Sequence, residues 1–320
     1  VVDGHVDVIL RVVDQGFNLL SDRPEIQADI PKWRRGGVNV VFMAAWVDPR
    51  NFPGEMATAR AHQLIDGIRA QATLHPQHIA FCQTAAEVRR AVARERIAFL
   101  IGVEGGVAIN NDLSQLTAFR KKGVRYMTLT WRGNLDWAGS SQSDNPRRGL
   151  TEFGREVIRE MNRLGIIVDL SHTSDQTVKD ALAVTSKPVI FSHSNARVLA
   201  NHPRNVTDDI LRAVAKNGGL VAVNVAGHFL RPTERGWALR PGQPDVNTVV
   251  DQIDYIAKVA GVDHVGFGSD YEGYIRPARG LATTQDVPKI WDELLRRGYS
   301  QAEVDKIAGG NFLRVLEANE

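Results

Sequence analysis

Short apolar, β-branched runs alternate with longer amphipathic stretches along this 320-residue chain, and that alternation constrains the fold more than any other feature. The runs are 1–7, 38–46, 98–103, 125–131, 166–171, 188–192, 220–225 and 264–269. Helical patterns cover 55–74, 112–122, 151–164, 174–184, 207–217 and 247–260, and 286–297, 300–309 and 311–319 close the chain. Asp112 is placed to cap a helix, and Gly165, Gly218 and Gly261 to stop three others. Strands that alternate with helices imply a parallel sheet. Eight such units in this length predict an α/β fold, a closed (β/α)8 barrel with C-terminal helices, filling residues 1–320 as one domain. An open doubly wound sheet is the alternative, but no Gly-x-Gly-x-x-Gly follows the first run. Two polar stretches read as long loops: Gly133–Gly149, and Ala226–Asp245 with Pro232, Pro241 and Pro244.

The chemistry gathers where the runs end. The first carries His5-Val6-Asp7. Residues two apart in a strand share a face, so one imidazole and one carboxylate project together, as a divalent metal requires. Glu104 follows the third run, His172 the fifth, His193 the sixth and Asp270 the eighth. In a barrel these ends ring one mouth, where active sites sit. Taken singly, each has a structural reading: Asp270 as a helix cap, Glu104 as a solvated turn residue, His172 and His193 as core histidines. Taken together they resist it, because a ring of ionisable groups on apolar strands is costly to desolvate unless paired or metal-bound. The inventory suits a two-metal site. His62, His75, His78, His202, His228 and His264 lack this placement and read as structural or surface residues.

Composition narrows the alternatives. The formal net charge is +2 and no long basic run occurs, which argues against a nucleic-acid partner. Cys82 is the single cysteine, so an intramolecular disulfide and a cysteine-rich zinc site are both excluded. No apolar run approaches the roughly 18–20 residues that span a bilayer. The chain opens directly on a strand, so the cytoplasm is the expected location; removal of an upstream segment would leave secretion or the periplasm open.

The residues resemble the membrane (renal) dipeptidase family, the zinc-dependent M19 peptidases. The motifs that carry the resemblance are Asp3-Gly4-His5-x-Asp7, Ile101-Gly102-Val103-Glu104-Gly105-Gly106, Asp169-Leu170-Ser171-His172, Phe191-Ser192-His193-Ser194, Arg204-Asn205-Val206-x-Asp208-Asp209 and Val265-Gly266-Phe267-Gly268-Ser269-Asp270. They span nearly the whole chain in order, and Asn311-Phe312-Leu313-Arg314-Val315 fits as well. The resemblance implies two Zn2+ per chain. His5 and Asp7 would bind one, His172 and His193 the other, and Glu104 would bridge them. A hydroxide shared between the metals would attack the scissile carbonyl of a dipeptide, one with a D-residue at the second position among the candidates. Asp270 would carry the proton to the leaving amine and contact the substrate, Arg204 would hold the substrate carboxylate, and a homodimer is implied.

One position departs from the family. After the Thr-Leu-Thr run the family commonly has a histidine that contacts substrate; here Thr128-Leu129-Thr130 is followed by Trp131. Indole donates one hydrogen bond and cannot be protonated. Trp131 therefore reads either as an aromatic wall for a different substrate or as packing against the loop that holds Trp137. Two further readings follow: an amidohydrolase acting on a non-peptide amide, lactam or lactone, and a metal-binding accessory protein that has lost peptidase activity.

Overall fold

A computed structural model of the chain describes residues 1–145, 147–231 and 243–320. Its strands are β1 (Val2–Val6), β2 (Val40–Trp46), β3 (Ile79–Phe81), β4 (Ile97–Glu104), β5 (Val124–Thr128), β6 (Ile167–Asp169), β7 (Ile190–Phe191), β8 (Leu220–Val223) and β9 (Val265–Phe267). Eight of them pair in parallel in the order β1-β2-β4-β5-β6-β7-β8-β9. The ring closes where the Asp7 amide donates to the Tyr271 carbonyl at 2.9 Å and the Asp270 amide to the His5 carbonyl at 3.0 Å. This is the expected (β/α)8 barrel, and the closure removes the open-sheet alternative.

β3 was not expected. It pairs only with the start of β4, outside the ring. Three residues between the helices Glu55–Leu74 and Ala85–Ala93 are too short a run to stand out by period. β6 and β7 are shorter than expected, because the amides of Ser171 and Ser192 turn to the Asp169 carboxylate instead of continuing a ladder. The helix expected from Asp112 begins at Ser114, since Asp112 takes the Ser114 amide in a turn at 2.8 Å. Thr151 and Gly165 bound their helix as expected, with Gly165 at φ 69°. Helices Ile9–Gln15, Ile30–Arg35 and Ala85–Ala93 were missed, although the Thr84–Glu87 capping box of the last was readable. In the second expected loop a short helix, Gly227–Leu230, appears, while Pro232 and Pro241 lie outside the described residues. Among the described residues no helix is long and apolar enough to cross a membrane.

Alternation along the strands sorts the core into two layers. Val40, Phe42, Ala98, Leu100, Leu220 and Ala222 fill the barrel, whereas Val41, Met43, Phe99 and Ile101 pack toward the helices. Continuing the inward series of β4 past Leu100 and Gly102 puts Glu104 at the top of the barrel interior. β1 breaks the rule. Three steps from Asp3 to Val6 run beside two steps from Val41 to Met43. The extra residue resets the alternation: Gly4 and His5 both reach the interior, and Val6 turns out to the helix layer.

Phe312, on the C-terminal helix Asn311–Ala318, plugs the bottom of the barrel. Its ring lies 5.8 Å from that of Phe42, and a Cβ added to Gly266 would approach it to 2.8 Å. Asn311 pins this helix by donating to the carbonyls of Val262 and Val265, each at 2.8 Å. Phe312→Ala is expected to destabilise the protein by about 3–5 kcal/mol, measured by urea denaturation.

Candidate active site

The top of the barrel gathers the six ionisable residues singled out in the sequence. His5 lies in β1 with Asp7 one residue past it, and Glu104 is the last residue of β4. His172, His193 and Asp270 sit two or three residues beyond β6, β7 and β9, so they belong to the turns rather than to the strands themselves. All six are buried. Glu104 is central. One of its oxygens, Oε2, lies 3.3 Å from His5 Nε2; the other, Oε1, lies 2.9 Å from His172 Nε2 and 3.7 Å from His193 Nε2. Asp7 Oδ2 is 3.5 Å from His5 Nε2, and the Nε2 atoms of His172 and His193 are 3.0 Å apart. Donor atoms of His5, Asp7 and Glu104 cluster within 4.8 Å of one another, as do those of Glu104, His172 and His193, and those of His5, His193 and Asp270.

Outer hydrogen bonds fix which ring nitrogen carries a proton. The Tyr126 hydroxyl donates to the Gly4 carbonyl at 3.2 Å, so at 2.8 Å it accepts from His5 Nδ1. The Ser192 hydroxyl donates to Asp169 at 2.6 Å and accepts from His193 Nδ1 at 2.8 Å. Both histidines therefore turn Nε2 toward the cluster, where the neutral ring offers a lone pair. Asp169 joins three strand ends, taking the Ser171 and Ser192 amides on one oxygen and the Thr128 and Ser192 hydroxyls on the other. Asp3 likewise accepts the Ser269 amide at 2.8 Å and the His5 amide at 3.3 Å, tying β1 to the turn after β9. None of these supports was singled out from the sequence, although Asp3, Asp169 and Ser192 lie inside the quoted motifs.

Two site residues hold left-handed backbone that side chains rarely adopt: His172 at φ 67° and Asp270 at φ 66°. The His172 carbonyl is fastened by the Ser141 amide at 2.8 Å and the Thr130 hydroxyl at 3.1 Å. Gly273 lies against both acids, where an added Cβ would collide with Asp270 and come within 2.8 Å of Asp7 Oδ2.

The electrostatics are those of imidazoles and carboxylates crowded together out of water. Burial, then the charge of Arg204, pulls His172 down to about 3. Burial and then His5 hold His193 well below the ordinary range. His5 moves the other way: burial opposes its proton, but Tyr126, Glu104 and Asp7 outweigh that cost. Burial pushes Asp7 up to about 6 and Asp270 well above the usual carboxylate range, the latter reinforced by Asp7. Glu104 resists its burial because His5 and His172 hold it low. His5 Nε2 and Asp7 Oδ2 are buried without a hydrogen-bond partner. Orphaned buried polar atoms aimed at a common point fit a divalent cation, which would take the place of the His5 proton and bind imidazoles and carboxylates together.

A cleft of about 360 Å³ opens over the cluster, lined by Asp7, Glu104, His172 and Asp270 on the chemical side. Trp131 lines it too, 6.4 Å from the His172 ring. It packs edge-on against Trp46 at 4.8 Å, while Trp137 packs on Phe153. The loop after Trp131 touches its backbone, through the Ser140 hydroxyl at 2.6 Å. Arg204 sits behind the cleft wall and is buried. Its Nη atoms bond Ser194 Oγ and the His193 carbonyl at 3.2 Å each, its guanidinium stacks on Phe229, and its Nε is buried without a partner. Phe229 and His228 line the cleft; His228, read from the sequence as a loop histidine, belongs to the site region.

A parallel barrel with imidazoles and carboxylates converging at its C-terminal mouth defines a barrel metallohydrolase. The chain matches the membrane dipeptidase family (peptidase family M19) over residues 1–320. It belongs to that family and is accordingly a metallo-dipeptidase. Among solved structures, the dipeptidase AC, a metallopeptidase, is similar at 29% identity and TM-score 0.88, with 100% of this chain and 98% of that one covered. A metallopeptidase from Rhodobacter sphaeroides, liganded with a phosphinate mimic of the dipeptide L-Ala-D-Ala, is similar at 28% identity and TM-score 0.88, covering 100% and 99%. A probable dipeptidase from Pseudomonas aeruginosa shares the fold at 24% identity and TM-score 0.91, covering 99% and 94%.

Tyr126→Phe deletes only the hydroxyl that orients His5. It is expected to weaken divalent-metal binding by roughly 10–100-fold, measured by competition with a chelator, while leaving the unfolding midpoint of the metal-free protein little changed.

Proposed function

We propose that residues 1–320 form one catalytic domain, a zinc-dependent dipeptidase in which His5 and Asp7 hold one cation, His172 and His193 a second, and Glu104 bridges the two. The observation that carries this reading is the position of Glu104, whose two oxygens address separate imidazole groups. A donor set of imidazole and carboxylate without thiolate suits zinc. When bound, a pair of such ions would polarise the scissile carbonyl and acidify the attacking water to near-neutral pKa.

The chain's own residues do the rest. Asp270 faces the cleft beside both histidine groups, where it can take the proton from the attacking water and pass it to the leaving amine. Gly273, by leaving room, lets Asp270 and Asp7 stand side by side. Arg204 is offered as the group that holds the substrate's carboxylate, supported by its orphaned Nε and its place beneath Phe229. The cleft volume suits a dipeptide. The phosphinate mimic of L-Ala-D-Ala on the Rhodobacter sphaeroides protein favours a D-residue at the second position. Trp131 favours a second reading, in which the aromatic wall receives an amide other than a dipeptide.

Zinc-loaded protein is expected to carry two zinc ions per chain by elemental analysis and to hydrolyse L-Ala-D-Ala or another small dipeptide. Chelation should abolish turnover and zinc should restore it. No hydrolysis across a panel of L,L and L,D dipeptides at saturating zinc would discard the dipeptidase reading. Asp270→Asn is expected to lower kcat by about 10²–10⁴-fold while zinc content stays at the wild-type value; a fully active variant would remove Asp270 from proton transfer.

A further inference from the structure

The cleft has a second chemical character away from the metal cluster. Trp46, Trp131 and Tyr274 wall it, with Trp46 and Tyr274 rings 6.0 Å apart and Tyr274 72% exposed at the rim. Two guanidinium groups lie against Trp131, that of Arg132 at 5.1 Å from the ring centroid and that of Arg50 at 5.8 Å. They are not equivalent. Arg50 is paired with Asp48 through Nε at 3.0 Å and Nη2 at 2.8 Å, a two-pronged contact that neutralises it and holds Asp48 below its ordinary pKa. Arg132 is exposed and, among the described residues, has no carboxylate within ion-pair distance.

The charge of Arg132 nonetheless reaches inward. It acts on Asp48 and His228, which line the same cleft, and on Arg204 behind its wall. A guanidinium braced on an indole face has part of its flat surface already covered, and it keeps its in-plane donors for a planar anion. A cationic side chain entering here would meet a like charge, and an anionic one would complete a pair.

We propose that Arg132, braced by Trp131, forms a subsite for an acidic substrate side chain, so that the preferred substrates are dipeptides containing a glutamate- or aspartate-type residue. The inference rests on the dipeptidase reading and names the substrate class of that same cleft. It also gives Trp131 a part: the indole serves as the platform on which the selecting cation rests.

The test compares zinc-loaded wild type with Arg132→Gln, Arg132→Glu and Trp131→Ala on Ala-Ala, Ala-Glu, Ala-Lys, Glu-Ala and Lys-Ala, with L and D second residues. In one of the two orders, wild type is expected to favour the acidic over the basic dipeptide by about tenfold in kcat/KM, expressed mainly in KM and shrinking with added salt. Arg132→Gln should bring that ratio near one, Arg132→Glu should invert it, and Trp131→Ala should reduce it. Turnover with no acidic preference, or with a ratio unchanged in Arg132→Glu, overturns the subsite and leaves the dipeptidase reading standing. Equal losses on Ala-Ala and on the acidic dipeptide in Arg132→Gln would put Arg132 on the main-chain carboxylate and also overturn it. If no dipeptide is hydrolysed, the dipeptidase reading falls, and calorimetric titration decides the subsite alone. Tighter binding of Ala-Glu than Ala-Lys that depends on Arg132 sustains it; equal affinities or no binding overturn it.

Discussion

The molecule is organised around a carboxylate that two sets of imidazoles approach from different sides. Glu104 is buried at the top of an apolar barrel, and on its own such a group would be too costly to ionise. It is placed so that each oxygen answers a different part of the ring: one looks to β1, the other to the turns after β6 and β7. The barrel must be closed for this to happen, because His5 and His193 come from strands far apart in order, and they are brought within one cluster only by curvature. Closure and chemistry are thus one constraint seen at two scales.

Around that centre a second tier of polar residues holds the first in place. Asp169 binds groups from β5 and from the turns after β6 and β7, and Asp3 clasps the turn after β9. Both are buried, and they meet their need for hydrogen bonds by taking amides and hydroxyls that the short strands release. The shortness of β6 and β7 is therefore part of the design: their ladders end early so that their backbone donors can face Asp169. The left-handed turns at His172 and Asp270 follow from the same arrangement, since each must swing its side chain back over the mouth.

Much of this was legible in the sequence. The alternation of apolar runs and helical stretches predicted the barrel, and His5, Asp7, Glu104, His172, His193 and Asp270 stood out because polar groups at the ends of apolar runs need a reason. What escaped was local. β3 is three residues long and leaves no periodic trace, and helix Ile9–Gln15 follows β1 with no side-chain cap to announce it. The supporting role of Tyr126 was hidden because a tyrosine inside an apolar run reads as core, and only the fold shows its hydroxyl reaching His5. Arg132 passed unremarked as one arginine among many in a polar loop; its meaning depends on Trp131 beneath it and on the pairing of Arg50 with Asp48, neither of which spacing reveals.

The extra residue in β1 bears on how such a chain can change over time. β5 carries a comparable irregularity, two steps from Val124 to Tyr126 beside one from Ile101 to Gly102, but the extra residue of β1 falls among the site residues. In β1 the level at which His5 stands depends on how many residues lie between Asp3 and Val6. Removing Gly4 would restore plain alternation and leave His5 inward, but would change the height at which it meets Glu104. Chain length in this short stretch is thus a part of the site in its own right, beside the residue types it carries.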